Sequence, residues 1–245
     1  MFNVLNTIDH SAYIATEYLA TDGPFDSPQN FNRFNIFGKY TGNLSETDKI
    51  GVTLSHFEST WDASGQIPVR AVNSGLIGRF GAIDDTEGGT TSRTNFLLNY
   101  DKELSPNATI KNSFFYSKYD FKLYSNFTFF LEDPVNGDQI KQKEDRTLFG
   151  LKSEYSQKFT TSSFSGRWSA GISLRKDQSN DNELSRTLNR RETLENIQFG
   201  DIDETNIGAF ANAEFEFGKW TINPALRIDY FDRCLYSKQE FNEYY

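Results

Sequence analysis

A single cysteine, Cys234, leaves this chain without an internal disulfide framework. The two histidines, His10 and His56, stand far apart with no clustered cysteine or carboxylate beside them, so no histidine-built metal centre is expected. No uninterrupted apolar run approaches the ~18 residues that a membrane-spanning helix requires, and mean hydropathy is −0.61. Positive charge is scarce as well: 25 Lys and Arg against 34 Asp and Glu give a net charge of −9, which removes the basic face that nucleic-acid binding needs. Met1-Phe2-Asn3-Val4-Leu5-Asn6 has neither a basic region nor a long apolar core, so it is not a secretory signal.

Aromatic residues, by contrast, are plentiful at 16%, with 23 Phe and 12 Tyr. From Phe164 to Lys176, the residues Phe164, Gly166, Trp168, Ala170, Ile172 and Leu174 alternate with Ser165, Arg167, Ser169, Gly171, Ser173 and Arg175. Successive side chains of a strand point to opposite faces, so this pattern makes one face apolar and the other polar. The code recurs from Asn206 to Phe217 and, after Gly218-Lys219, from Trp220 to Phe231. Each run holds parity for roughly 10 residues, beyond the ~5–6 of soluble strands and near the ~9–11 of a tilted membrane strand. A barrel with a wet interior needs apolar residues only at alternate positions, which reconciles the low hydropathy with a membrane setting.

Further strands are expected over Ser11–Ala20, Phe34–Gly42, Ile50–Trp61, around Asn95–Tyr100, over Thr109–Phe121 and over Arg146–Gln157, about nine in all. Short turns at Ser45, Ser105, Thr160 and Gly218 alternate with long segments at Asp62–Thr91, Leu123–Glu144 and Asp177–Asp203. Outer-membrane barrels have short periplasmic turns and longer extracellular loops. The expected fold is therefore all-β: an antiparallel up-and-down transmembrane β-barrel segment with long extracellular loops. Nine is odd, and the chain stops soon after a strand at Asn242-Glu243-Tyr244-Tyr245, so an incomplete barrel is expected. Trp168, Ile172, Phe215, Trp220 and Leu226 would face lipid, while Arg167, Arg175, Glu214, Glu216 and Arg227 would line the lumen. The competing architecture is a soluble, aromatic-rich β-sandwich that binds carbohydrate and packs the apolar face against a second sheet. A passive porin is a third reading.

Catalytic and cofactor motifs are thin. Gly75-Leu76-Ile77-Gly78-Arg79-Phe80-Gly81 lacks the spacing and the βαβ context of a phosphate loop. Asp133–Asp138 lacks the full ligand spacing of a calcium loop. The acidic pairs Asp84-Asp85 and Asp201/Asp203 sit in expected loops without a partner at a defined separation, so neither an enzyme nor a cofactor is expected.

Five strings carry a family resemblance. Trp61-Asp62-Ala63-Ser64-Gly65-Gln66-Ile67-Pro68 is followed by Arg79-Phe80-Gly81-Ala82-Ile83-Asp84-Asp85-Thr86-Glu87-Gly88-Gly89 and Thr91-Ser92-Arg93; Tyr124–Phe130 and Asp133–Asp138 come later. They resemble loops of TonB-dependent outer-membrane receptors. That resemblance implies a large plugged barrel of the ~22-stranded class, in the outer membrane of a bacterium. It also implies active uptake of a scarce ligand, a ferric siderophore or other metal chelate, with energy delivered by TonB. Residues 1–245 would be a partial barrel, with the plug and the remaining strands outside this chain.

Within the first long loop, Ile67–Phe80 has apolar residues at helical spacing, Pro68 at a first helical position and Gly81 as a stop, which predicts a short helix over the barrel mouth; an irregular loop is the alternative. Arg70, Arg79, Asp84, Asp85, Glu87 and Arg93 mix both charges. Either the arginines act as forks for a carboxylate or a chelated ferric anion, or these residues pair with one another to order the loop. Tyr124 and Phe129 join them as candidate ligand contacts.

Overall fold

The computed structural model describes residues 1–238; the chain end at 242–245 lies outside the described residues. The elements are β1 (Phe2–Asn6), β2 (His10–Thr21), β3 (Phe31–Asn43), β4 (Asp48–Ala63), α1 (Val69–Asn73), β5 (Glu87–Ser105), β6 (Ala108–Ser125), β7 (Ile140–Thr160), β8 (Ser165–Leu188), β9 (Glu192–Phe217), β10 (Trp220–Ile222) and β11 (Ala225–Ser237). They form one antiparallel, up-and-down sheet of eleven strands in sequence order, unclosed, with β10 and β11 both paired to β9. Two departures raise the count above nine. β1 is too short for alternation to register, and Asn223-Pro224 splits the last strand, because proline has no N–H to give the ladder.

Register aligns the two parities across the whole sheet. Tyr40, Val52, Leu98, Phe114, Leu151, Leu174, Ile207 and Tyr230 form one cross-strand row. Rows toward the short turns add Trp168 opposite Ala213 and Phe215 opposite Gly166 and Ile222. At that end Phe159, Phe164, Phe215 and Phe217 cluster, with Phe164 and Phe217 centroids 4.9 Å apart. Nothing covers this apolar face: Trp220 is 76% exposed, Leu226 68% and Ile172 60%, and the only buried hydrophobic residues among those described are Ala71 and Ala108. A sandwich would bury these side chains beneath a second sheet, so that reading fails. The opposite face carries cross-strand charge: Arg146 forks Asp177 at 2.8 and 2.5 Å, Arg227 donates to Ser173 at 3.3 Å, and Arg33 forks Glu17.

Three expected loops are shorter than the sequence suggests. Asp177–Asp203 is strand on both sides of a tight turn at 189–191, so Asp201 and Asp203 lie on β9. Its apolar residues, Leu184, Leu188, Leu194, Ile197, Phe199 and Ile202, are sparse and keep no single parity, which erases the alternation that reveals a strand. Cross-strand ion pairs hold it instead, Lys176 to Asp203 at 2.9 Å and Lys141 to Glu183 at 2.6 Å. The loop at Leu123–Glu144 contracts to 126–139 and that at Asp62–Thr91 to 64–86, placing Glu87 and Arg93 on β5 and Tyr124 on β6.

Local chemistry explains the turns. Ser45 Oγ accepts from the N–H groups of Thr47 and Asp48, and Thr161 Oγ1 from those of Ser163 and Phe164, as hydroxyl-stapled turns do. Helix α1 spans five residues and not Ile67–Phe80. Pro68 is its N-cap, with φ −66° and ψ 132°, and Gly75 at φ +74° stops it. The Gly75 N–H bonds Val72 O and the Leu76 N–H bonds Ala71 O, both at 3.0 Å, a Schellman closure several residues before Gly81. On the polar face Gly171 accommodates a close approach. A Cβ there would lie 2.5 Å from Ser153 O and 2.6 Å from the Phe210 ring that covers the gap, a cross-strand aromatic over glycine.

Candidate functional site

At the long-loop end, four connections converge on a polar hub. Gln139, 2% exposed, lies at its centre. Its Nε2 donates to Asp84 Oδ2 at 3.1 Å and to Thr86 Oγ1 at 2.7 Å, while its Oε1 accepts from Thr187 Oγ1 at 3.1 Å and from the Arg190 N–H at 2.9 Å. Arg190 sits at the β8–β9 tip with φ 61°. Its Nη1 bonds Asp62 Oδ1 at 2.7 Å, its Nε and Nη2 donate to the carbonyls of Thr86 and Glu87, and its guanidinium lies 5.8 Å from the Tyr124 ring centroid. Asn30 reaches Asp62 Oδ2 at 2.9 Å, which ties in the segment between β2 and β3.

Of the eight candidate residues, the hub gathers three: Asp84, Glu87 and Tyr124. Asp84 is partly buried, which opposes ionisation, yet hydrogen bonds from the Thr86 hydroxyl, the Asn126 amide, the Thr86 N–H and Gln139 outweigh that and hold its carboxyl below the usual range. Burial pushes Glu87 the other way, helped by the Asp84 charge and opposed by the Asn126 N–H and Arg190. Arg70, Arg79 and Asp85 are exposed. Arg93 is exposed on the polar face of β5, bonded to Asn95 and Ser117 at 3.1 and 3.3 Å. Phe129 takes φ 63°, its N–H bonded to Asn126 Oδ1 and its carbonyl to the Asp138 N–H. None of the six charged candidates forms an ion pair with a described residue, so their expected mutual pairing does not occur.

Sequence reasoning missed Arg190, Gln139 and Asp62. Asn189 and Arg190, at φ 52° and 61°, were legible only as part of a polar run; an Asn beginning a turn is the available signal. The Asp133–Asp138 segment resolves into a self-contained turn. Asp138 accepts from the N–H groups of Leu131, Glu132 and Asp133, so its oxygens are committed to the backbone. Burial opposes its charge, but the Thr128 hydroxyl and these amides prevail and lower its pKa.

The two-faced sheet has counterparts among known proteins. The family model for the TonB dependent receptor-like β-barrel matches residues 8–235. No curated protein matches significantly. Among solved structures, the ferric citrate transporter FecA in unliganded form superposes with a TM-score of 0.77 at 10% identity, covering 96% of this chain and 34% of that one. The open form of the ferric-catecholate import receptor Fiu from E. coli K12 gives 0.70 at 11% identity, covering 96% and 42%. The outer membrane transporter YddB from Escherichia coli gives 0.55 at 12%, covering 96% and 34%. At these identities the likeness is one of fold, and this chain spans between a third and a half of each. Its sheet, its register and the match along nearly its whole length place this chain in the TonB-dependent receptor β-barrel family.

Proposed function

We propose that this chain is part of the barrel of a bacterial outer-membrane receptor that takes up an anionic metal chelate, a ferric siderophore foremost, with energy from TonB. In this reading the plug and remaining strands lie outside residues 1–245. The apolar face meets lipid, the charged face lines the lumen, and the 64–86 and 126–139 loops face the medium. The strands support that division. β5 to β9 run 18 to 26 residues where a tilted crossing takes ~9–11. The excess lies at the long-loop end, where Lys176 and Asp203 replace the apolar row.

The observation that carries the ligand assignment is the exposure of Arg70 and Arg79 on the 64–86 loop without an ion-pair partner among the described residues, beside exposed Leu76 and Phe80. Guanidinium groups so placed can fork the oxygens of an anionic chelate, and the apolar side chains can cover its organic arms. The solved neighbours named for ferric citrate and ferric catecholates make chelated iron the first class to test. In the complete receptor, the combined change of Arg70, Arg79 and Arg93 to Ala is expected to reduce uptake of radiolabelled ferric citrate or ferric catecholate by about tenfold or more, since each charge-assisted bond contributes roughly 1.5–3 kcal/mol. Undiminished uptake of whichever chelate the parent transports would remove these arginines from the site. Of the acidic pairs, the Asp84 oxygens are engaged by donors, Asp85 is exposed, and Asp201 and Asp203 each pair with a lysine.

A further inference from the structure

The polar face of β3, β4 and β5 carries a cavity of about 570 Å³ lined by Phe31, Phe57, Trp61, Arg33, Thr91 and Gln29. Three of these are half-buried rings on the face that otherwise carries charge. Phe57 pairs with Asn35 on one side and Arg93 on the other, and Trp61 and Phe31 share that parity. All three rings therefore stand on the side of the sheet where Arg33 forks Glu17. Trp61 pairs with Gly89, where a Cβ would stand 3.0 Å from the indole, so the missing side chain leaves the ring its room. The cavity is tied to the exterior loops. The Gln29 carbonyl accepts from the Asp62 N–H at 2.7 Å, the Asp26 N–H donates to the Phe80 carbonyl at 3.0 Å, and Phe25 meets Phe80 edge-on with centroids 6.3 Å apart. It thus adjoins the 64–86 loop that presents Arg70 and Arg79.

The volume lies within the ~300–1,000 Å³ of small-molecule sites, which are largely apolar with a few placed polar groups. The cation beside the rings is open. Arg33 is engaged by Glu17 and Arg146 by Asp177. Arg93, directly opposite Phe57, uses only its Nε, which donates to Asn95 Oδ1 at 3.1 Å and Ser117 Oγ at 3.3 Å; both terminal amines are without a partner among the described residues. Tyr119 stands opposite it on the other side. A guanidinium oriented by its Nε between two rings presents a fork to ionised oxygens whose own ring lies against the aromatic wall. An aliphatic hydroxycarboxylate would use the fork and leave the rings bare. A neutral sugar would cover the rings and leave the guanidinium unanswered. We propose that this cavity receives the aromatic ring of a catecholate or phenolate chelate, with Arg93 on its ionised oxygens. The inference rests on the chelate-uptake reading and narrows its substrate class to aromatic chelates.

Equilibrium binding of radiolabelled ferric dihydroxybenzoate and ferric citrate to the full receptor in detergent tests this. The parent is expected to bind the dihydroxybenzoate complex at least about tenfold more tightly than the citrate complex. The Phe57→Leu/Trp61→Leu double variant, which keeps apolar bulk and removes two rings, should cut that ratio by about tenfold. Arg93→Gln should by itself weaken the dihydroxybenzoate complex by about tenfold, and it carries the test if the double variant does not fold. A ratio unchanged in the double variant, undiminished binding in Arg93→Gln, or a parent that shows no preference or favours citrate overturns the aromatic class while leaving chelate uptake in place. Binding of neither complex by the parent overturns the uptake reading and this inference with it.

Discussion

Ile172→Arg is expected to destabilise the folded receptor by about 2–4 kcal/mol, the largest effect of any single change on the sheet. Ile172 is 60% exposed on the apolar face of β8, between Ala170 and Leu174 and in one row with Ala209 and Ile228. In water an exposed isoleucine tolerates arginine almost freely. In hydrocarbon the guanidinium must be desolvated or must drag water and headgroups inward. Asn99→Arg, on the opposite face among Gly51 and Ser113, is the control and should cost less than about 1 kcal/mol. Urea titration of folding in lipid vesicles measures both. A soluble domain would give similar small costs at the two positions.

Arg190→Ala should release the long-loop end while leaving the sheet intact. The change removes the bond to Asp62, the two bonds to the Thr86 and Glu87 carbonyls and the contact with Tyr124. Hydrogen bonds to a charged group contribute roughly 1.5–3 kcal/mol each when buried partners are stranded. Even one such loss raises the opening equilibrium by about tenfold to a hundredfold. Amide exchange in 64–86 and 126–139 should accelerate by at least that factor, with β6 to β8 unaffected near the short turns. Arg190→Lys keeps the charge but cannot present the planar fork to two carbonyls and an aspartate together, so it should restore only part of the protection. Acceleration spread evenly through the sheet would instead make Arg190 part of the global core.

The sheet could be read from the sequence wherever one face is apolar. Phe164–Lys176 and the pair around Gly218 follow alternation because lipid or core must be met by every second side chain, and their register repeats that parity strand by strand. Alternation vanishes beyond the apolar band, where both faces are wet, and there the extensions of β8 and β9 read as loop. The short helix illustrates a different limit: apolar spacing over 67–80 is outweighed by Gly75, whose positive φ closes the helix at once. The hub was only half legible. Asp84, Glu87 and Tyr124 stand in long distinctive strings, whereas Gln139 and Arg190 act through partners some 50 to 130 residues away in sequence, contacts that no local pattern encodes.

The central claim is that the Trp168 face meets hydrocarbon and the Phe210 face meets water, and tryptophan quenching by brominated lipids measures it most directly. In a receptor whose only tryptophan is Trp168, after Trp61→Phe, Trp220→Phe and the replacement of every tryptophan outside residues 1–245, brominated acyl chains should quench most of the emission. Adding Trp168→Phe and Phe210→Trp moves the single indole to the polar face three residues along the sheet, since Phe210 pairs with Gly171 and Trp168 with Ala213, and quenching should fall close to zero. Equal quenching at the two positions, or none at Trp168, would contradict the assignment of the faces.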